Sequence, residues 1–475
     1  METSRRHFMK MAGYGLGTAA LTTLMEQFTV AHALAGPNGG YKALVCVFLA
    51  GGNDCNQTLI PLGDASDPTG GYPAYYNARN SHNLAIAQSN LLPISTSYGQ
   101  YGLHPSLTNF QNYFNQRQLA ITCNVGPLVT YLSRATYRGN GAKPFQLFSH
   151  SDQVLIWQTS RGDIRAQSGW GGRIADLYPP SSYPMVTSVT GSSLPIYTIG
   201  VNRRPLGIAP HPTTLRNVLN LTGFGTTAME TARRTAMDQL RTIDRLNTVV
   251  GASMDVTSQA LQVSSILNVD DPTFQTVFPN TTLANQLRQV AKIMAVNVNT
   301  GFSLGNKQMF FCQLGGFDTH QAQNVNQPPL LTQVNNALKA FYDATVEIGV
   351  NSGVVTFTIS DFGRTLNPGG SGQNVVGSDH AWGSHHFVLG DPVQGGDLFG
   401  RPMPASDGGN GTVYPTLTTG GPYDTDTRGR WIPTVSVEQY AATLAQWYGV
   451  SQTDLNTVFP LLNRFDGPLT FLPAG

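Results

Sequence analysis

The sequence predicts an α/β protein, a three-layer α/β/α sandwich around a mainly parallel central sheet. Three observations predict it: short apolar runs that recur along the chain, turns rich in Gly, Asn and Asp at their ends, and helical periodicity between them. A nearly continuous apolar run suits a strand buried on both faces, and strands alternating with helices suit a parallel sheet covered on both sides. Residues 43–49 form the first run and lead into Gly51-Gly52-Asn53-Asp54. Residues 119–123 lead into Asn124 and Gly126, residues 309–314 into Gly315-Gly316-Phe317-Asp318, and residues 354–359 into Ser360-Asp361-Phe362-Gly363. Helical spacing links Met229, Ala232, Ala236, Leu240, Ile243, Leu246 and Val250; then Leu283, Leu287, Val290 and Met294; then Leu331, Val334, Leu338 and Phe341. Near the end Ser436, with Gln439 three residues on, caps a helix whose buried stripe is Tyr440, Leu444 and Trp447. Residues 367–426 are rich in Gly, Pro, Ser, Asp and Thr and read as long loops. With no repeat and no boundary, residues 36–475 read as a single domain, and residues 224–300 as a helical insertion or cap.

Composition narrows the function. The 475 residues are 40% hydrophobic, enough for a large core, and only 12% charged, so disorder is excluded as the main state. Lys and Arg number 28 against 27 Asp and Glu, and no basic run follows the N-terminal segment, which excludes a nucleic-acid or anionic-membrane binder. Four cysteines without C-x-x-C spacing read as core residues, with a Cys46–Cys55 bridge left open. Beyond the first 35 residues no apolar stretch is long enough for a membrane span.

Residues 3–10, Thr-Ser-Arg-Arg-His-Phe-Met-Lys, resemble a twin-arginine export signal. A mildly apolar stretch over residues 11–30 follows, then small-x-small sites at Ala31-His32-Ala33 and Ala33-Leu34-Ala35. Residues 1–35 are therefore expected to be a signal peptide, with the cut at Ala33, at Ala35 or elsewhere left open. Export through the twin-arginine translocase to the periplasm or the exterior follows, with no integral membrane association after cleavage. Such substrates travel folded, often with a cofactor loaded, which directs attention to metal ligands. Gly13, Gly15 and Gly17 mimic a nucleotide loop but lie inside this leader with no strand before them.

Of ten histidines, His7 and His32 fall in the leader; five of the remaining eight (His150, His320, His380, His385 and His386) lie in three short segments that each contain Asp. Ligands of an open α/β sheet gather beyond the carboxyl ends of its strands, where Asp54, Asp318 and Asp361 are expected. Asp318-Thr319-His320, and Asp379-His380 followed by His385-His386, combine carboxylate charge with imidazole nitrogen, a set suited to Zn²⁺ or Mn²⁺. One or two such ions could clamp the oxygens of an ester displacement. Singly, each residue has a plainer role: Asp54 or Asp361 capping a helix, His150 satisfied in a core, Asp318 fixing a turn. Together they point to a site. Ser149-His150-Ser151-Asp152 offers a nucleophile, Ser149 before Ser151, and reads equally as an N-cap box. Arg364 could fork onto a phosphate or sulfate, or hold a loop carbonyl.

Several segments carry a family resemblance: Leu49-Ala50-Gly51-Gly52-Asn53-Asp54, Leu103-His104-Pro105-Ser106-Leu107, Ser149-His150, Gly315-Gly316-Phe317-Asp318-Thr319-His320, Ser360-Asp361-Phe362-Gly363-Arg364-Thr365 and Asp379-His380-Ala381-Trp382-Gly383-Ser384-His385-His386-Phe387. They resemble the exported, twin-arginine-signalled proteins of the DUF1501 family, a group without an established biochemical role. That family is similar to the alkaline phosphatase-like superfamily of phosphatases, sulfatases, phosphodiesterases and cofactor-independent phosphoglycerate mutases. The resemblance implies an alkaline phosphatase-like fold, Asp54 as the N-terminal metal ligand and Ser149 as nucleophile. It implies Asp318 and His320 on the other metal, Asp361 as a ligand after the last central strand, and His380 with His385 or His386 completing the set. Two departures stand out. Superfamily hydrolases carry Asp-His after that strand, whereas Phe362 stands here and Asp379-His380 comes later; the spacing from Asp54 to Ser149 is also long. The Cys-x-Pro-x-Arg or Ser-x-Pro-x-Arg sequence of standard sulfatases is absent.

Two function classes follow. One is an exported metal-dependent hydrolase of phosphate or sulfate esters, acting on small-molecule or glycan esters. The other is a non-catalytic exported binding or structural protein that keeps the fold. A third reading, the nucleophile elbow G-x-S-x-G at Gly301-Phe302-Ser303-Leu304-Gly305, needs a strand before it and a helix after, and the expected order here is the reverse.

Overall fold

Strand β1, Lys42–Leu49, shows how the three layers arise. Successive side chains point to opposite faces, so Ala43, Val45, Val47 and Leu49 enter one apolar core while Leu44, Cys46 and Phe48 enter another. The chain is seen in a computed structural model that describes residues 40–179, 183–191, 194–219, 223, 227–240, 248–369 and 376–475. The expected signal peptide, residues 1–35, lies outside the described residues.

Among the described residues the central sheet has nine strands. After β1 come β2 (Leu119–Gly126), β3 (Val186–Ser188), β4 (Leu206–Gly207), β5 (Lys307–Leu314), β6 (Val354–Ser360), β7 (Ser384–Leu389), β8 (Leu398–Phe399) and β9 (Val435–Ser436). Their spatial order is β8-β2-β7-β6-β1-β5-β3-β4, with β9 beside β2. Strand β1 pairs in parallel with β5 and β6, and β3 and β4 continue the parallel array beyond β5. Strand β7 runs antiparallel to both of its neighbours, β6 and β2.

Helices cover both faces. On one side α1 (His150–Thr159), α2 (Trp170–Asp176) and α5 (Val437–Tyr448) supply Trp157, Trp170, Ile174, Tyr440 and Leu444 to the core. On the other, α3 (Thr282–Asn299) and α4 (Gln323–Ile348) supply Leu283, Leu287, Leu331, Val334 and Leu338. The sandwich and its mainly parallel sheet are thus as the sequence predicts, and the four apolar runs are β1, β2, β5 and β6.

One open alternative is closed, with the cysteines in the core as expected, and two expectations need correction. Cys46 and Cys55 are free, buried thiols, and Cys46 belongs to the core under α5, so no bridge joins them. The stretch over residues 367–426 is not all loop, because it contains β7. The helical stretch over residues 224–300 divides: Met229 on the helix Ala228–Leu240 is 73% exposed, whereas Leu283, Leu287, Val290 and Met294 on α3 are fully buried. Helix α3 is core, and Ile243 and Leu246 lie outside the described residues. The G-x-S-x-G segment is a turn between α3 and β5, with Ser303 exposed and bonded to Thr300 Oγ1 at 2.7 Å, so it is no strand-to-helix elbow.

Helix α5 has the expected capping box: Ser436 Oγ accepts from Gln439 N and Gln439 Oε1 from Ser436 N, each at 3.1 Å. Beside it Glu438 is 1% exposed, and burial pushes its carboxyl up to about 8 from an ordinary 4.5. A raised carboxyl pKa means the folded chain keeps a proton that the unfolded chain loses. Stability from this group is therefore complete below about pH 4.5 and falls as pH rises toward 8. Glu438→Gln should match wild type near pH 4.5 and exceed it by about 3–5 kcal/mol at pH 8, at 1.36 kcal/mol per pKa unit. Denaturant melts across that range check it; a constant difference would refute it.

Candidate metal centre

Turns at the carboxyl ends of β1, β5 and β6 meet at one edge of the sheet. Gly51 sits there with φ +117°, where a Cβ would strike the backbone N of Asp318, so only glycine lets the turns after β1 and β5 approach this closely. Asp361 directly follows β6, and its Oδ1 accepts from Gly51 N at 2.9 Å. His150 is the first residue of α1. His380 ends a short strand, Ser378–His380, paired with Arg364–Pro368.

Three imidazoles are fixed by the acceptors at their Nδ1 atoms. His150 Nδ1 lies 2.7 Å from Asp361 Oδ2, His320 Nδ1 3.0 Å from Asp379 Oδ1, and His380 Nδ1 2.8 Å from the Phe148 carbonyl. A carboxylate or carbonyl oxygen only accepts, so each Nδ1 carries the hydrogen and each neutral ring presents an Nε2 lone pair. These lone pairs turn toward Asp318 Oδ1, at 3.5 Å from His150 Nε2, 3.2 Å from His320 Nε2 and 3.6 Å from His380 Nε2. His150, Asp318 and His380 offer ligand atoms all within 4.8 Å of one another, a group that could hold a metal ion. His320 Nε2 is 2.8 Å from His380 Nε2, a contact between two lone pairs that needs a shared cation, proton or metal. His150 Nε2 is buried with no hydrogen-bond partner, a donor atom left over for such an ion.

The electrostatics agree. The hydrogen bond to Asp361 holds His150 above the ordinary imidazole value, while burial pushes His380 below it. Burial is the largest single influence and pushes Asp318 and Asp379 up, but the Arg364 bond and charge with His320 and His150 on the first, and the Arg428 and His320 bonds and charges on the second, together outweigh it and hold both carboxyls below the usual range. Phe362 forms an apolar wall, its ring centroid 4.7 Å from that of His150 and 4.6 Å from that of His380. The side chains of Asp318 and His320 are 49% and 41% exposed, so the group opens to solvent.

Other expected site residues lie elsewhere or act indirectly. Asp54 is fully buried; its carboxylate caps Cys55–Thr58 through Asn56 N, pairs with Arg79 at 2.6 and 3.1 Å, and accepts from Gln323 Nε2. Those bonds leave it no lone pair for a metal. His385 and His386 alternate to opposite faces of β7. His385 Nδ1 accepts from Asn124 N, and its ring packs on Tyr414; His386 packs against Trp157 and Tyr440. Burial pushes both down to about 3, so they are neutral core imidazoles rather than members of the group.

Asp361 and Asp379 stand behind His150 and His320 and orient them. Arg364 is fully buried and staples the site: Nε to the Gly52 and Phe317 carbonyls, Nη1 to Ser378 O, Nη2 to Gly51 O and the Asp318 carboxylate. It is spent on loop carbonyls, not free for a substrate. Ser149 Oγ donates to Asp152 Oδ2 at 2.7 Å and lies 3.3 Å from Ser151 Oγ, a helix-start network rather than a hydroxyl turned to the group.

Sequence reasoning missed three contributors. Phe148, in the left-handed region at φ +70°, gives its carbonyl to His380. Arg428 Nη1 pairs with Asp379 Oδ2 at 2.6 Å, and Arg430 Nε donates to His380 O at 2.9 Å. Both arginines lie on a turn pinned by Asp424, which accepts from the backbone N of Gly420, Asp426, Gly429 and Arg430. No motif marks them.

Fold and site together define an α/β sandwich bearing a His/Asp group at its strand ends. The chain belongs to the family described as "Protein of unknown function (DUF1501)", whose model matches residues 41–407. No curated protein matches it. Among solved structures it is similar to the PsFucS1 sulfatase from Pseudoalteromonas sp., at 9% identity over 78% of this chain and 68% of that one, TM-score 0.26. It is also similar to Ps i-CgsB, at 8% identity over 77% and 70%, TM-score 0.30. The lipoteichoic acid synthase LtaP from Listeria monocytogenes matches at 8% identity over 73% and 65%, TM-score 0.27. Among the described residues no helix is long and apolar enough to cross a membrane.

Proposed function

We propose that the chain is an exported, metal-dependent hydrolase of phosphate or sulfate esters, with one divalent ion, Zn or Mn, held by His150, His380 and Asp318 and His320 at the margin. The observation that carries this reading is the convergence of Nε2 lone pairs on Asp318 Oδ1 with every Nδ1 already committed. A bound divalent ion supplies positive charge to an ester oxygen and lowers the pKa of water. The chain's residues do the rest. Asp361 and Asp379 keep the imidazoles in the ligating tautomer, Arg364 holds the Asp318 carboxylate, and Phe362 excludes water from one side. The exposed faces of Asp318 and His320 leave room for a small-molecule or glycan ester.

Arg5 and Arg6, with the apolar stretch behind them, support the twin-arginine translocase as export partner and the periplasm or exterior as destination. The test is hydrolysis of nitrophenyl phosphate and nitrophenyl sulfate by Zn- or Mn-loaded protein, lost on chelation and in His380→Ala. Because the Ser149 hydroxyl is bonded to Asp152, Ser149→Ala should keep turnover within about threefold and leave metal content unchanged. A loss of 100-fold or more would restore Ser149 as nucleophile. That same engagement of Ser149 favours the second reading, a non-catalytic exported binding protein with one metal, which an inactive but fully metal-loaded chain would support.

A further inference from the structure

A second cluster lies on α3 and shares no residue with the His/Asp group. Arg288 Nη1 is 3.1 Å from His211 Nε2, and Lys292 Nζ is 3.2 Å from His211 Nδ1. A neutral imidazole accepts at one nitrogen and carries hydrogen on the other, so one of these cations faces an N–H rather than a lone pair. Lys292, whose side chain is 2% exposed, also donates to Asp271 Oδ2 at 2.6 Å and to Gln289 Oε1 at 3.2 Å. Asp271 is committed further, its Oδ1 accepting from Leu215 N at 2.8 Å. Asp271 answers Lys292, and among the described residues no ion pair joins Arg288 to a carboxylate. Arg288 Nε is buried with no partner. That nitrogen belongs to the guanidinium edge that grips an oxyanion through two parallel bonds.

We propose that Arg288, with His211 and Lys292, forms an oxyanion-binding site for a sulfate or phosphate group, free or carried as an ester. The anion accepts from the idle Arg288 edge and gives the cluster its missing counter-charge. Arg288 and His211 are themselves only half-buried, which leaves the group a way in from solvent.

The test is calorimetric titration of inorganic sulfate and inorganic phosphate into chelator-treated full-length protein, its His150→Ala form and its Arg288→Gln form. Wild type and His150→Ala should bind one equivalent alike, Arg288→Gln at least tenfold more weakly, and Arg288→Lys in between. Equal binding by wild type and Arg288→Gln overturns the proposal, as does no binding at all, provided the variant's thermal melt without anion matches wild type. Loss of binding in His150→Ala overturns it too, by assigning the anion to the His/Asp group. Once dependence on Arg288 is seen, displacement of sulfate by a sulfated disaccharide supports the ester-borne group, and failure to displace supports the free ion.

Discussion

Asp54→Ala should destabilise the fold by about 3–5 kcal/mol, the cost of stranding a buried charge by removing its partner. Arg79 is fully buried, and Asp54 is the carboxylate that pairs with it. Its Nε and Nη2 also donate to the Leu366 and Thr365 carbonyls, so the pair ties the turn after β1 to the strand Arg364–Pro368 that bears the Arg364 staple. Against a total stability of about 5–15 kcal/mol the loss is large. Urea denaturation measures it. Asp54→Ala combined with Arg79→Met should recover part of the loss, because no bare charge remains. A cost below about 1 kcal/mol, or loss of metal with stability intact, would return Asp54 to the role of ligand.

His380→Ala should weaken divalent-metal binding by more than the ~10–100-fold expected for Asp361→Asn, because the first removes a donor atom and the second only the group that orients one. His380 suits this test better than Asp318, whose removal would also take a partner from buried Arg364. Competition titration with a metal-sensitive dye gives both affinities. Equal affinity in wild type and His380→Ala would remove the histidine from the site.

How far the sequence could be read follows from what each segment spends on burial. Strands β1, β5 and β6 are largely apolar and lead into turns that carry Gly, Ser or Asp, so both strands and site edge were legible. Strand β7 was not, because it opens Ser384-His385-His386 and only residues 387–389 look like a strand. Those two imidazoles therefore resembled loop ligands, when they are core residues whose polar atoms sit among Asn124, Tyr414, Trp157 and Tyr440. Motif position picked out four carboxylates but not what each one holds. Asp54, Asp318, Asp361 and Asp379 look alike in sequence, and only geometry separates one that faces the imidazole Nε2 atoms from two that hold Nδ1–H and one that holds Arg79. Arg428, Arg430 and the Phe148 carbonyl were invisible because their contribution depends on distant contacts rather than local pattern.

The central claim is that one metal ion sits among His150, His380 and Asp318. Elemental analysis of the purified full-length protein, beside His380→Ala prepared identically, tests it most directly. About one equivalent of Zn or Mn per chain, lost in the variant with the fold retained, is the predicted result. No metal in the wild type, or metal that survives His380→Ala, would contradict it.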